Sequence, residues 1–74
     1  MITIDAAATG RNMVALRNAA GLTTMDIANA MGFTSRNAIY RWFSGDSLPA
    51  LDNIVVLADL FGVRVDDILV TRNV

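Results

Sequence analysis

The 74-residue chain contains no cysteine and no histidine. These absences exclude a disulfide framework, zinc sites built on thiolate or imidazole ligands, and catalysis by cysteine or histidine. Glutamate, lysine and glutamine are also missing, so all seven acidic residues are aspartate and all six basic residues are arginine. The sequence has no nucleophile beside a general base, no glycine-rich phosphate loop and no metal-ligand cluster. It therefore predicts neither an enzyme nor a bound cofactor or metal.

Long apolar runs are missing too, although 54% of the residues are hydrophobic. The longest run, Ile54 to Ala58, is far shorter than the roughly 20 residues that a membrane helix needs. The first residues lack the basic start and apolar core of a signal peptide. We therefore expect a cytoplasmic protein with no membrane segment. A chain this short has room for one domain, which we place over residues 1–74.

Five helices are predicted from the apolar spacing and from the residues that begin and end helices. They cover approximately residues 6–20, 24–31, 35–43, 51–61 and 65–70. Residues 1–4 are predicted to form either a stub strand or a disordered tail, and no convincing strand pair is expected. The fold class that follows is an all-α, compact five-helix bundle.

The predicted helix starts depend on a few polar residues. Asp5 is a plausible N-cap of the first helix, although Gly10 weakens that helix and allows a start nearer Thr9. Thr23 and Asp26 have the spacing of a capping box at the start of the second helix. The third helix can be capped by the hydroxyl of Thr34 or Ser35.

Apolar positions three or four residues apart predict which helix faces are buried. On the third helix Ala38, Ile39 and Trp42 share the inner face. The opposite face carries the polar residues Arg36, Asn37, Tyr40 and Arg41. The predicted core stripe of the fourth helix is Leu51, Ile54, Leu57, Ala58 and Phe61.

The second and third helices follow the plan of a helix-turn-helix, two short helices joined by a tight turn. Ala28 is small enough for close approach of the two helices, and Gly32 can adopt the positive φ that the turn needs. The start of the third helix places Arg36 and Asn37 where base edges can be reached. Arginine can donate two hydrogen bonds to guanine, and asparagine can pair in the same bidentate way with adenine.

Over about residues 9–70 the chain resembles the lambda-repressor/Cro-type helix-turn-helix family, often called the XRE family. The resemblance rests on the order and spacing of several short segments. These are Leu16-Arg17, Gly21-Leu22-Thr23, Asp26-Ile27-Ala28, Met31-Gly32-Phe33, Ser35 to Trp42, Gly45 to Pro49, Leu51 to Ile54, Leu57 to Val63 and Asp66 to Leu69. It implies a five-helix repressor-like domain that regulates transcription, with the third helix in the major groove of double-stranded DNA. Many members bind palindromic operators as homodimers.

The resemblance also implies roles for single residues. The base-contacting positions fall on Ser35, Arg36, Asn37 and Arg41. The DNA-backbone contacts are assigned to Thr23, Thr24, Thr34, Tyr40 and Ser44. Relative to common members, Thr34 resembles a one-residue insertion that can shift the register of the third helix. Thr24 replaces a frequent glutamine, and Phe43 with Ser44 replaces a polar or charged pair.

The distribution of charge favours DNA binding by one face of the chain. Residues 1–45 hold four arginines and two aspartates, a net +2, whereas residues 46–74 hold two arginines and five aspartates, a net −3, which sum to −1. The positive part contains the third helix. Two to four phosphate contacts predict a salt slope of only about −2 to −4 per monomer, so useful affinity needs a dimer or a partner.

The slightly acidic, apolar composition leaves a second function open. The same fold can serve as a protein-interaction or antitoxin-like module that uses an apolar surface. We define the apolar patch as Phe43, Val56, Leu69 and Val70, and we predict it as a homodimer or protein-partner surface.

Overall fold

The computed structural model describes all 74 residues, which form five helices and one two-stranded sheet. The helices are α1 (Ala6–Ala19), α2 (Thr24–Met31), α3 (Asn37–Ser44), α4 (Leu51–Phe61) and α5 (Val65–Ile68). The strands are β1 (Ile2–Ile4) and β2 (Thr71–Asn73). The mostly helical architecture confirms the predicted fold class. None of the helices combines the length and the hydropathy needed to cross a bilayer.

The first two helices begin where their polar caps place them. The Asp5 carboxylate accepts a hydrogen bond from the Ala8 N–H at 2.9 Å, so α1 starts at Ala6 and not near Thr9. At α2 the capping box is complete: the Asp26 N–H donates to the Thr23 hydroxyl at 3.0 Å, and the Thr23 N–H donates to the Asp26 carboxylate at 2.8 Å.

The third and fifth helices are shorter than the approximate ranges predicted for them. α3 begins at Asn37 with Arg36 as its N-cap, and neither the Thr34 nor the Ser35 hydroxyl caps it. The connection from Gly32 to Arg36 is long enough to keep Ser35 outside the helix. α5 ends at Ile68 because Leu69 has an extended backbone, with ψ of 130°, and leads into β2.

The expectation that the chain has no strand pair was also wrong. β1 pairs with β2 in antiparallel fashion, with Thr3 opposite Arg72, so Ile2–Ile4 form the strand and not the tail. Next to this pairing, the Asp5 N–H donates to the Val70 carbonyl at 2.8 Å, and the Val70 N–H donates to the Thr9 hydroxyl at 2.9 Å. The sheet therefore joins the two ends of the chain beside the start of α1.

The hydrophobic core takes residues from all five helices. Its fully or nearly buried members are Met13, Ile27, Ala28, Ile39, Trp42, Ile54, Leu57, Ala58, Phe61 and Ile68. The predicted inner faces of α3 and α4 are thus confirmed, with one exception. Leu51 is 82% exposed, because it is the first residue of α4 and the buried stripe begins one turn later, at Ile54. α1 packs closely against the end of α3. A Cβ added to Gly45, the residue that follows α3, would lie 2.8 Å from the Cα of Ala7.

Candidate functional site

One face of α3 is a free polar surface. Arg36, Asn37, Tyr40 and Arg41 are all exposed, whereas Ile39 and Trp42 on the opposite face are buried. No hydrogen bond or ion pair joins these four polar side chains to the rest of the chain, since the bonds at Asn37 and Arg41 use backbone atoms. The amphipathic division of α3 therefore agrees with the sequence prediction and leaves two guanidinium groups and one amide available to a ligand.

The start of α3 carries a cation and no side-chain cap. Arg36 is the N-cap residue, and its side chain makes no capping bond. The Ser35 hydroxyl accepts only a long contact of 3.4 Å from the Asn37 N–H. The first N–H groups of α3 therefore lie at the positive end of the helix dipole, next to the basic residue Arg36. Such an arrangement attracts an anion or a hydrogen-bond acceptor.

The hydroxyls predicted to contact the DNA backbone differ in their hydrogen bonds and in their exposure to solvent. Thr23 is occupied in the capping box of α2, and the Ser44 hydroxyl donates to the Arg41 carbonyl at 3.1 Å. Thr24 is buried, with 6% of its surface exposed. Thr34 and Tyr40 are exposed. Thr24 therefore lies within the fold, where it contacts neighbouring side chains. The other four residues are exposed at the surface.

Arg17 is a residue that the sequence analysis did not single out. Its guanidinium donates to the Thr24 hydroxyl at 2.8 Å and to the Asn18 amide oxygen at 2.8 Å and 3.2 Å. The same group lies over the ring of Phe43, 5.5 Å from the centroid. We call Arg17, Thr24 and Phe43 the Arg17 cluster. It links the end of α1 to the start of α2 and the end of α3.

No carboxylate neutralises the Arg17 cluster, because the chain's one ion pair joins Arg64 to Asp66 at its surface. A cation over an aromatic face contributes about 0.5–1 kcal/mol at an exposed site. Phe43 is half-buried and packs against the core, and its ring centroid is 6.4 Å from that of Tyr40 with an interplanar angle of 74°. In the sequence, only the spacing between Arg17 and Thr24 suggests that these two residues are in contact. No residue pattern near Arg17 indicates its contact with Phe43.

The two acidic residues that precede α3 are engaged in helix caps, whereas Asp46 follows the end of α3, where its N–H donates to the Arg41 carbonyl at 3.0 Å. Both carboxylates of residues 1–45 are caps, Asp5 on α1 and Asp26 on α2. The Thr23 N–H, followed by the Thr23 hydroxyl, holds the pKa of Asp26 below its usual value. The other five aspartates follow α3 in the chain, in the turn before α4 and on α4 and α5. The exposed face of α3 is therefore free of acidic residues.

The predicted apolar patch is only partly open to solvent. Val56 is 37% exposed, whereas Phe43, Leu69 and Val70 are half-buried within the chain. Two further apolar residues, Leu51 and Val55, are exposed on α4, although Leu51 was predicted to lie in the core. The surface carries no pocket and no group of three acidic or other metal-ligating side chains.

Comparison with family models gives a match over most of the chain. A family model described as helix-turn-helix matches residues 13–68, which run from the middle of α1 to the end of α5. The match therefore covers α2, α3, their connection and the Arg17 cluster. No curated protein and no solved structure matches the chain.

Proposed function

Because the chain belongs to the lambda-repressor/Cro-type helix-turn-helix family of DNA-binding domains, we propose that it regulates transcription by reading a specific DNA sequence. In this proposal α3 enters the major groove and α2 crosses the DNA backbone. The observation that carries the proposal is the exposed face of α3, where Arg36, Asn37 and Arg41 have no partner within the chain.

The three side chains differ in what they recognise. Arg36 and Arg41 offer planar forks of N–H donors that fit the O6 and N7 atoms of guanine, and Asn37 fits the N6 and N7 atoms of adenine. Each bidentate pair contributes about 1–3 kcal/mol of discrimination against a wrong base. Ser35, exposed just before Arg36, adds a hydroxyl that either donates or accepts. We therefore assign base contacts to Ser35, Arg36, Asn37 and Arg41.

The position of Arg36 supports this assignment. A cation at a helix N-terminus is unfavourable by about 0.3–1 kcal/mol, since it faces the positive end of the helix dipole. Arg36 occupies the N-cap position of α3 and forms no ion pair with a carboxylate. A DNA phosphate or a guanine acceptor supplies that compensation, so binding relieves a cost that the free protein carries.

The backbone contacts follow from the same geometry. We propose that Thr23, Thr34, Tyr40 and Ser44 lie along the phosphates, because each is at an exposed or partly engaged position beside α2 or α3. Thr24 is buried, and we propose that it acts by holding Arg17, whose charge lies beside the start of α2. Arg17 then adds a phosphate contact that the family pattern alone did not predict.

The test selects preferred duplexes from a random-sequence library and then compares variants on the selected site. Arg36→Ala should weaken binding by about 1–3 kcal/mol and relax the preference at one base pair. Arg11→Ala, which removes an exposed arginine from α1, is the matched control and should keep that preference. Unchanged binding by Arg36→Ala would overturn the assigned register of base contacts. Absence of any enriched sequence would overturn sequence-specific reading itself.

A second candidate function is protein binding through the apolar patch. The exposure of Val56 and the net charge of −1 favour it, because a non-specific DNA binder is usually basic. The discriminating experiment is an amide NMR titration with a mixed-sequence duplex at about 50 mM and then 200 mM salt. Salt-sensitive shifts in residues 23–25 and 34–44 support DNA binding. Absence of shifts, together with line broadening that Val56→Ser removes, supports the protein partner.

A further inference from the structure

The two-stranded sheet formed by β1 and β2, which we call the terminal ribbon, is exposed along its whole length. All six strand residues are exposed, and they include two isoleucines, Ile2 at 68% and Ile4 at 39%. Isolated two-stranded sheets are marginally stable in water. The terminal ribbon is anchored to α1 through Thr9, and pairing at a free edge would add to its stability.

The hydrogen bonds of the terminal ribbon show which backbone groups remain free. The Val74 N–H donates to the Met1 carbonyl at 2.8 Å, and the Asp5 N–H donates to the Val70 carbonyl at 2.8 Å. Bonded pairs alternate with non-bonded pairs in an antiparallel ladder. Met1 and Thr3 thus direct their N–H and C=O groups toward β2, and so does the Asp5 N–H, whereas the Asp5 carbonyl accepts from the Thr9 N–H in α1. The N–H and C=O groups of Ile2 and Ile4 point to the opposite, open edge.

We propose that this open edge of β1 binds the same edge of a second copy of the chain. The two β1 strands then run antiparallel at the centre of a four-stranded sheet, in the order β2, β1, β1 and β2. A strand that pairs with its own copy in this way generates a closed two-fold dimer. The proposal does not depend on DNA binding, since it concerns a surface outside α2 and α3.

One register uses all of the free groups. With Thr3 opposite Thr3 of the partner subunit, Ile2 lies opposite Ile4 of the partner subunit, and Ile4 opposite the partner's Ile2. Both isoleucine pairs then occupy hydrogen-bonded positions, and each pair exchanges two backbone hydrogen bonds. Since residues two apart point to the same side of a strand, the four isoleucines come together on one face of the sheet.

Charge distinguishes the β1 edge from the β2 edge. The equivalent pairing of β2 with its copy would place Arg72 directly opposite Arg72 of the partner subunit, and like charges in that position destabilise a sheet. β1 carries no charged residue. Pairing β1 of one copy with β2 of the next is heterologous and would build an open-ended sheet. The second copy joined through β1 is therefore the occupant that both charge and symmetry favour.

The test measures oligomeric state by sedimentation velocity over a range of protein concentrations without DNA. The full chain should dimerise, and Ile2→Lys should raise the dimer dissociation constant at least about tenfold by placing charge at the edge. Asn73→Lys is the matched control, because it adds the same charge to the same face of the terminal ribbon on the strand away from the partner. It should leave the dimer intact.

Two further measurements test whether the dimer forms through the open edge of β1. Ile2→Pro removes one outward N–H that β1–β2 pairing does not use, so it should abolish the dimer while thermal unfolding stays that of a folded monomer. In a mixed isotope-labelled sample, an isotope-filtered nuclear Overhauser effect should connect Thr3 Hα to Thr3 Hα of the partner subunit. A chain that stays monomeric at every concentration, or a dimer that Ile2→Lys leaves unchanged, would overturn the proposal.

Discussion

Gly10 of α1 lies directly against the backbone carbonyl of Trp42 in α3: a Cβ added to Gly10 would come within 2.5 Å of that oxygen. The carbonyl of Phe43 is in contact with the same position. The two helices therefore meet backbone to backbone, with no side chain between them at this point. Because α3 carries the proposed DNA-reading face, the contact with Gly10 sets how α3 sits on the rest of the fold.

We expect Gly10→Ala to lower the free energy of unfolding by about 1–3 kcal/mol, because a backbone carbonyl cannot move aside as a flexible side chain can. Helix propensity alone predicts the opposite sign, a gain of about 0.5–1 kcal/mol. Urea denaturation decides between the two. Arg11→Ala on the exposed side of α1 should stay within about 0.5 kcal/mol of the wild-type chain. A Gly10→Ala variant as stable as wild type would show that α1 and α3 can separate at little cost.

The contact between Arg17 and Phe43 should appear as an energetic coupling. In a double-mutant cycle of Arg17→Met and Phe43→Leu, we expect a coupling of about 0.5–1 kcal/mol in unfolding free energy. Arg17→Lys should lose part of it, since lysine lacks the planar group that stacks on the ring. Additive effects of the two substitutions would mean that Arg17 is held by Thr24 and Asn18 alone.

Stability should depend on pH through Asp26. Its pKa is lower in the folded chain than its ordinary value of 3.8, because the Thr23 N–H stabilises the carboxylate. The unfolded chain therefore binds the proton first as the pH falls. The stabilisation is complete above pH 4 to 5 and is lost as the pH falls through the lower, folded pKa.

The measurement is the unfolding free energy of wild type and Asp26→Asn between pH 6 and pH 2. The advantage of wild type should shrink toward the acid end. Asp59→Asn, which changes an exposed carboxylate of α4 with no capping role, serves as the comparison. An advantage that stays constant with pH would show that the capping box does not need the charge of Asp26.

Two leucines of α4 should respond in opposite ways to truncation. Leu57→Ala should cost about 2–5 kcal/mol, since Leu57 is 1% exposed in the core. Leu51→Ala should change the unfolding free energy by no more than about 0.5 kcal/mol, because its side chain is in solvent. Thermal unfolding of the two variants is enough to compare them. A large loss at Leu51 would place it in a contact that the isolated chain does not show.

Features that depend on neighbouring residues were predictable from the sequence. The caps at Asp5 and Thr23, the ends of α2 and α4, and the polar and apolar faces of α3 follow from spacing over one or two turns. The exposure of Arg36, Asn37 and Arg41 follows in the same way. That is why the candidate DNA-reading face could be proposed before the fold was known.

Features that depend on distant residues were not predictable in this way. The terminal ribbon pairs residues at opposite ends of the chain, and neither strand has a partner nearby in sequence. Gly10 weakens a helix in isolation, yet the close approach of α3 requires it. Leu51 fits the apolar stripe of α4 but stands before the turn that reaches the core. In each case the packing of helices or strands against one another decides the structure. That packing cannot be deduced from helical periodicity.

Because β1 pairs with β2, the order of the helices along the chain can be changed by circular permutation. Since the Val74 N–H donates to the Met1 carbonyl at 2.8 Å, a short glycine linker can join the two ends into a closed chain. Opening that circle at the exposed Asp46 would give a circular permutant that starts with α4 and ends with α3. The candidate recognition helix would then stand at the end of the polypeptide, where it can be extended or randomised without interrupting the rest of the fold.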